Sequence, residues 1–233
     1  MKKRYIILII IIAMIFIGSI YYAASYYPAD STAQSYLNGT DNVSVTDMEN
    51  GLLIDGKGND TLVVFYPGAM VDSNAYLPIL CNLSGEGVDC YIAKMPFNLA
   101  IFGVDRAEEI IANTNYTTYL MAGHSLGGSM AASYTANHNI SGLILLASYT
   151  TDKIDKPTLS IYGSNDNILN FEKYNQSKSK YSNFTEIVID GGNHAQFGNY
   201  ASQKGDGIAS INSTSQQEQS VKAILNFINT LSS

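Results

Sequence analysis

The sequence predicts an α/β fold, and three observations predict it. Short apolar, β-branched runs alternate with stretches of helical spacing along most of the 233 residues. An antiparallel start, with strands at 43–46 and 52–55 about the turn Glu49-Asn50-Gly51, precedes that alternation. A Gly-x-Ser-x-Gly stretch, Gly123-His124-Ser125-Leu126-Gly127, then falls between an apolar run and a helical one.

The elements follow in order. Lys2-Lys3-Arg4 precede Tyr5 to Tyr22, an uncharged apolar run long enough to span a bilayer. A basic flank stays cytoplasmic, so residues 1–27 are expected to be an uncleaved signal anchor. The rest of the chain would then lie outside the cell membrane. Tyr21, Tyr22, Tyr26 and Tyr27 suit an interfacial aromatic belt. The alternative is a cleaved signal peptide and a secreted chain, since Ala23-Ala24-Ser25 offers small residues for cleavage. Residues 28–42, rich in Ala, Ser, Tyr, Asn and Asp, read as a stalk, and 43–233 as the folded domain. Sequons recurring from Asn38 to Asn212 agree weakly with export.

Within the domain, residues 56–60 turn into a strand at 61–66. A helix at 75–81, with Pro78 near its start, leads to a strand at 88–94 and a helix at 105–112. The run 116–122 reads as a buried strand, 129–136 as a helix, and 140–147 and 158–163 as buried strands. A helix at 171–178 and a strand at 186–190 follow. Val221, Ile224, Leu225, Phe227 and Ile228 give the closing helix, 216–231, its apolar stripe.

The joint at Gly123–Gly128 carries the chemistry. A serine on so sharp a turn presents its hydroxyl at the top of the sheet, and side chains in place of Gly123 or Gly127 would collide with neighbouring backbone. A serine needs a base, and the base needs an acid to fix its tautomer. Of three histidines, His124 lies inside the turn and His138 ends the following helix. His194 sits on a loop after a late strand, where a base belongs. Asp166, on a turn after the strand at 158–163, is the candidate acid. Asp190 reads as a turn residue, and Asp152 and Asp155 as solvated. The order Ser125, Asp166, His194 therefore marks a nucleophile, an acid and a base. The amide of Leu126 opens the helix and faces any oxyanion at Ser125. The second donor is expected from Ala69, or less favourably Met70, after Pro67-Gly68.

These motifs, with Tyr66-Pro-Gly-Ala69, Lys94 to Ala100 and Gly191 to Gly198, resemble a compact, capless microbial subgroup of the α/β-hydrolases, serine-esterase-like in character. The resemblance spans roughly residues 60 to 230. It implies a mostly parallel sheet of about seven to eight strands with helices on both faces, and a serine–aspartate–histidine mechanism. It implies no particular substrate. Pro67 stands where histidine is more common, which leaves backbone donors unaffected.

Only residues 148–156 separate two buried strands where such folds insert a cap, so the cleft is expected to be open. Met70, Phe97, Leu99 and Phe102 then offer an acyl or aryl groove, or else cover the sheet. Cys81 and Cys90 read equally as one disulfide or as two buried thiols. No metal-ligand spacing is present and no cofactor is expected. A net charge of −7 argues against nucleic acid as a partner. The expectation is a membrane-anchored carboxylesterase-like serine hydrolase acting on a small-molecule acyl ester. The alternative is a silent binding domain on the same fold.

Overall fold

The computed structural model describes residues 2–57 and 60–231. The sequon at Asn59 and the side chains of Tyr21, Ala23 and Ala24 lie outside what it describes. The strands are β1 (Ser44–Met48), β2 (Gly51–Asp55), β3 (Thr61–Tyr66), β4 (Asp89–Ala93), β5 (Thr118–His124), β6 (Gly142–Leu146), β7 (Thr158–Gly163) and β8 (Phe184–Ile189). The helices are α1 (Lys2–Ser25), α2 (Ser31–Ser35), α3 (Leu77–Gly85), α4 (Arg106–Ala112), α5 (Leu126–Asn137), α6 (Phe171–Ser177) and α7 (Ser213–Leu231).

The strands form one sheet in the order β1-β2-β4-β3-β5-β6-β7-β8. The hairpin β1–β2 is antiparallel and closes at Met48 opposite Gly51; β2 also runs antiparallel to β4. From β4 to β8 every pairing is parallel. The order reverses around β3, so the loops after β3, β4 and β5 converge at one carboxyl edge, where open α/β sheets bind ligands.

Alternation along β3 shows how the two cores arise. Val63 and Phe65 join α3 and α7 on one face, while Leu62, Val64 and Tyr66 join α4 and α5 on the other. The expected helix at 75–81 is a 3₁₀ turn, Ser73–Tyr76, followed by α3. Pro78 lies in the first turn of α3, where no backbone donor is required. No cap interrupts the chain between β6 and β7.

The expected stalk is packed on the domain, and one of the two open cysteine readings is realised. Residues 28–42 are not a free stalk: they strap the domain. Tyr27 N–H donates to the Met70 carbonyl (2.8 Å), Asp72 N–H to Tyr27 (2.9 Å), and Asp30 N–H to Asn199 (2.9 Å). Asp30 caps α2, and Ala29 and Ala33 are buried in the α3 core. Small side chains fit that crevice, and most of the segment's backbone bonds are made locally, in α2 and the turns that follow it. Of the two cysteine readings, the structure has free thiols, both buried. Cys90 donates to the Val88 carbonyl, and burial pushes the Cys81 thiol up to about 12.

Within α1, the stretch Lys3–Ile20 is long and apolar enough to cross a membrane, and none of it is buried against the domain. At 1.5 Å per residue it measures about 27 Å, close to the thickness of a bilayer's hydrocarbon core.

Candidate active site

β5 ends in the sharp turn and α5 begins at Leu126. Ser125 sits at φ 53°, ψ −123°, a region an L-residue occupies only under constraint. The constraint comes from both sides. Ser125 N–H donates to the Leu146 carbonyl (2.9 Å), and its own carbonyl accepts from the Ser148 hydroxyl (2.7 Å). A Cβ on Gly127 would lie 2.2 Å from the carbonyl oxygens of Tyr66 and Pro67, and one on Gly123 would lie 2.6 Å from Gly127 backbone. Only glycine allows the β3 loop to cross the elbow this closely.

Asp166 occupies the turn after β7, where its N–H donates to the Gly163 carbonyl. Its Oδ1 accepts from Ile168 N–H and Leu169 N–H, both at 2.8 Å, and its Oδ2 lies 2.8 Å from His194 Nδ1. An ionised carboxylate only accepts, so Nδ1 carries the proton and Nε2 presents a lone pair. Both side chains are sealed from solvent, at 0% and 1% exposure. Nε2 of His194 is itself buried and has no hydrogen-bond partner. His194 lines a cavity of about 230 Å³ together with Ser125, Leu126, Tyr149 and Ile168 to Asn170.

The histidine loop is held by groups that carry no motif. Asp206 accepts from Ala195 N–H (2.9 Å) and His194 N–H (3.3 Å). Gln216, fully buried in α7, bonds both the N–H and the carbonyl of Asn193. Beneath the loop lies His124, buried, with its ring centroid 4.6 Å from that of His194. Its Nε2 is 3.1 Å from the His194 carbonyl, which can only accept, so Nε2 carries the hydrogen. Nδ1 then accepts from the Tyr76 hydroxyl (2.8 Å), whose oxygen accepts from Gly68 N–H (3.1 Å). One relay thus ties the loop after β3 to the loop after β8. Burial, and next the nearby His194, hold the His124 pKa well below the usual imidazole range, so His124 stays neutral.

Leu126 is the first residue of α5, so its amide has no intrahelical acceptor. The Met70 amide is occupied by the Asn98 carbonyl (2.8 Å), whereas the Ala69 amide bonds no described residue. Ala69 stands on the loop that crosses Gly127, but it does not line the cavity that Ser125 lines.

The groove expectation is corrected. None of Met70, Phe97, Leu99 and Phe102 lines the cavity of Ser125. Phe97 and Asn98 adopt left-handed conformations (φ 53° and 50°), and Phe97 and Phe102 lie outside, 70% and 62% exposed. The walls come instead from Tyr149 and Ile168 to Asn170. Sequence gave no sign of Asp206 or Tyr76. Gln216, a polar residue at the start of an apolar helical stripe, was the one available hint.

A parallel sheet carrying a strained serine at a strand–helix turn defines the α/β-hydrolase architecture. The alpha/beta hydrolase family model matches residues 62–218, and the chain belongs to that family. Among solved structures, the ferulic acid complex of Est1E from Butyrivibrio proteoclasticus superposes with a TM-score of 0.61 at 16% identity. The match covers 82% of this chain and 98% of that one. A bacterial membrane phospholipase A, described as a virulence factor, matches at TM-score 0.62 and 12% identity over 99% of both chains. Mouse alpha/beta hydrolase domain-containing protein 10 matches at TM-score 0.56 and 14% identity, over 81% and 99%. No curated protein sequence matches this chain.

Proposed function

We propose that the chain is a serine hydrolase cleaving carboxylic esters, anchored in the membrane by α1 with its domain on the extracytoplasmic side. The buried, unpartnered Nε2 of His194 carries this reading. A buried ring nitrogen without a partner, on a histidine that lines the same cavity as Ser125 and is oriented by Asp166, is an expensive arrangement for a fold without a use for it.

In the proposed reaction the Ser125 hydroxyl turns to Nε2, which takes its proton as Oγ bonds the ester carbonyl carbon. Asp166 stabilises the resulting imidazolium. The amides of Leu126 and Ala69 receive the oxyanion, each contributing about 3–4 kcal/mol. The intermediate collapses, the carbon–alkoxide bond breaks, and the alcohol leaves with the proton from Nε2. Water then gives a proton to Nε2 as its oxygen bonds the acyl carbon; the C–Oγ bond breaks, Ser125 Oγ takes that proton from Nε2, and the carboxylic acid leaves. Esterases among the similar structures support the reaction class, and the basic flank of α1 supports the orientation.

The test uses the full chain in detergent, short p-nitrophenyl esters and a fluorophosphonate probe. Ser125→Ala should lower the rate at least about 10³-fold and abolish labelling. Equal rates for the two proteins, with no labelling of either, would leave the silent binding domain as the better account.

A further inference from the structure

Three features meet at the end of α1. The first is a fastening. The Tyr22 hydroxyl accepts from Asn98 Nδ2 (2.9 Å), Tyr26 donates to Asp72 (3.0 Å), and Tyr27 bonds Met70. The helix that can cross a membrane is thus clasped to the loops after β3 and β4.

The second is a patch on that same loop. Phe97, Ile101 and Phe102 are 70%, 56% and 62% exposed, and the two phenylalanine rings meet edge to face at 6.1 Å. Exposed aromatic and aliphatic groups gathered in one place mark a contact surface.

The third is strain. Phe97 (φ 53°) and Asn98 (φ 50°) are consecutive left-handed residues, and Met70 (φ 61°), which donates to Asn98, is a third. A bulky residue held there and turned outward needs a reason. The core supplies none, because Phe97 is not in it.

The depth follows from the helix. Tyr22 stands two residues beyond the end of the span at Ile20, about 3 Å along the axis. With α1 across a bilayer, Asn98 would sit near the lipid headgroups and bring its neighbour Phe97 to the interface, where aromatic side chains partition.

The geometry points to the loop of residues 95–102 as a membrane-docking surface. It seats in the leaflet from which α1 emerges, so that the Ser125 site takes its acyl ester from a lipid of that leaflet. A 3₁₀ turn in this loop (Ala100–Phe102) packs against α5, the helix that starts at the elbow, so docking is coupled structurally to the site. The lipid's ester would be cleaved by the steps above. The substrate part of the inference rests on the proposed hydrolase reading; the docking part does not.

The chain contains no tryptophan, so Phe97→Trp gives a single fluorescent reporter. The full chain is reconstituted in dioleoylphosphatidylcholine vesicles with doxyl-labelled lipid as quencher. Phe184→Trp, at the start of β8 on the sheet edge opposite the site, serves as the comparison. Docking predicts a blue-shifted, strongly quenched emission for Phe97→Trp and little quenching for Phe184→Trp. Equal quenching of the two, or a blue shift that depends on protein concentration instead of lipid, overturns it; the latter would mean a second copy covers the patch.

A second arm replaces Phe97, Ile101 and Phe102 together by serine. Release of oleate from the vesicles should fall at least tenfold, while a soluble p-nitrophenyl ester is turned over within twofold of the unaltered chain. That second rate also reports folding. Unchanged oleate release refutes the delivery role. A parent chain that cleaves neither ester sinks the hydrolase reading alone and leaves the quenching result standing.

Discussion

Removing one oxygen should loosen two loops at once. The Tyr76 hydroxyl is fully buried, accepts from Gly68 N–H and donates to His124 Nδ1. Tyr76→Phe leaves both groups unpaired in space too small for a replacement water. Each orphaned group costs about 1–3 kcal/mol, so the pair would cost roughly 2–6; removing the buried hydroxyl itself returns part, leaving about 3 kcal/mol. For a domain of this size, that lowers the melting temperature by about 6–12 °C. Near-ultraviolet circular dichroism of the full chain in detergent, scanned with temperature, measures it. A melting point within about 1 °C of the parent would refute the reasoning, since both groups would then have other partners. The relay would not be the bond between the β3 and β8 loops.

Three further outcomes are expected. Asp166→Asn removes the acceptor that keeps the proton on His194 Nδ1, and ester turnover should fall about 10⁴-fold with little change in substrate KM. His124 has a depressed folded pKa, so on acidification the unfolded chain takes up a proton at its ordinary value near 6.5 while the folded chain does not. Stability should therefore fall as pH drops below about 6.5, and His124→Gln should flatten part of that slope in melting temperature against pH. Gly127→Ala places a Cβ 2.2 Å from two backbone carbonyl oxygens that cannot yield, so no cooperatively melting protein should be recovered.

The elbow was legible because its constraint is local. Glycines at 123 and 127 bracket a serine, and the runs on either side declare strand and helix. Asp166 and His194 were legible from strand ends, and the structure sets them 2.8 Å apart. The direction of a loop was not legible. Nothing in Met95 to Phe102 tells whether its apolar side chains turn inward, and it is the left-handed pair at Phe97 and Asn98 that turns them out. The strap was missed for the opposite reason. A segment of small and polar residues looks unstructured, yet Ala29 and Ala33 are small enough to enter a crevice and Asp30 supplies a cap. Asp206 and Gln216 act through paired polar contacts to residues 11 to 23 positions away, which no short pattern encodes.

The clasp at Tyr26 and Tyr27 also governs how far the domain can travel. A slack linker of about fifteen residues would let a tethered domain roam roughly 20 Å from its attachment point. Here Tyr22, still inside α1, already bonds Asn98, and Tyr26 and Tyr27 bond the domain directly after the helix ends at Ser25, so no such leash exists. With α1 spanning a bilayer, the domain would stand on it at a fixed tilt. Its chemistry would be confined to the sheet of lipid beneath it, out of reach of a neighbouring cell's surface.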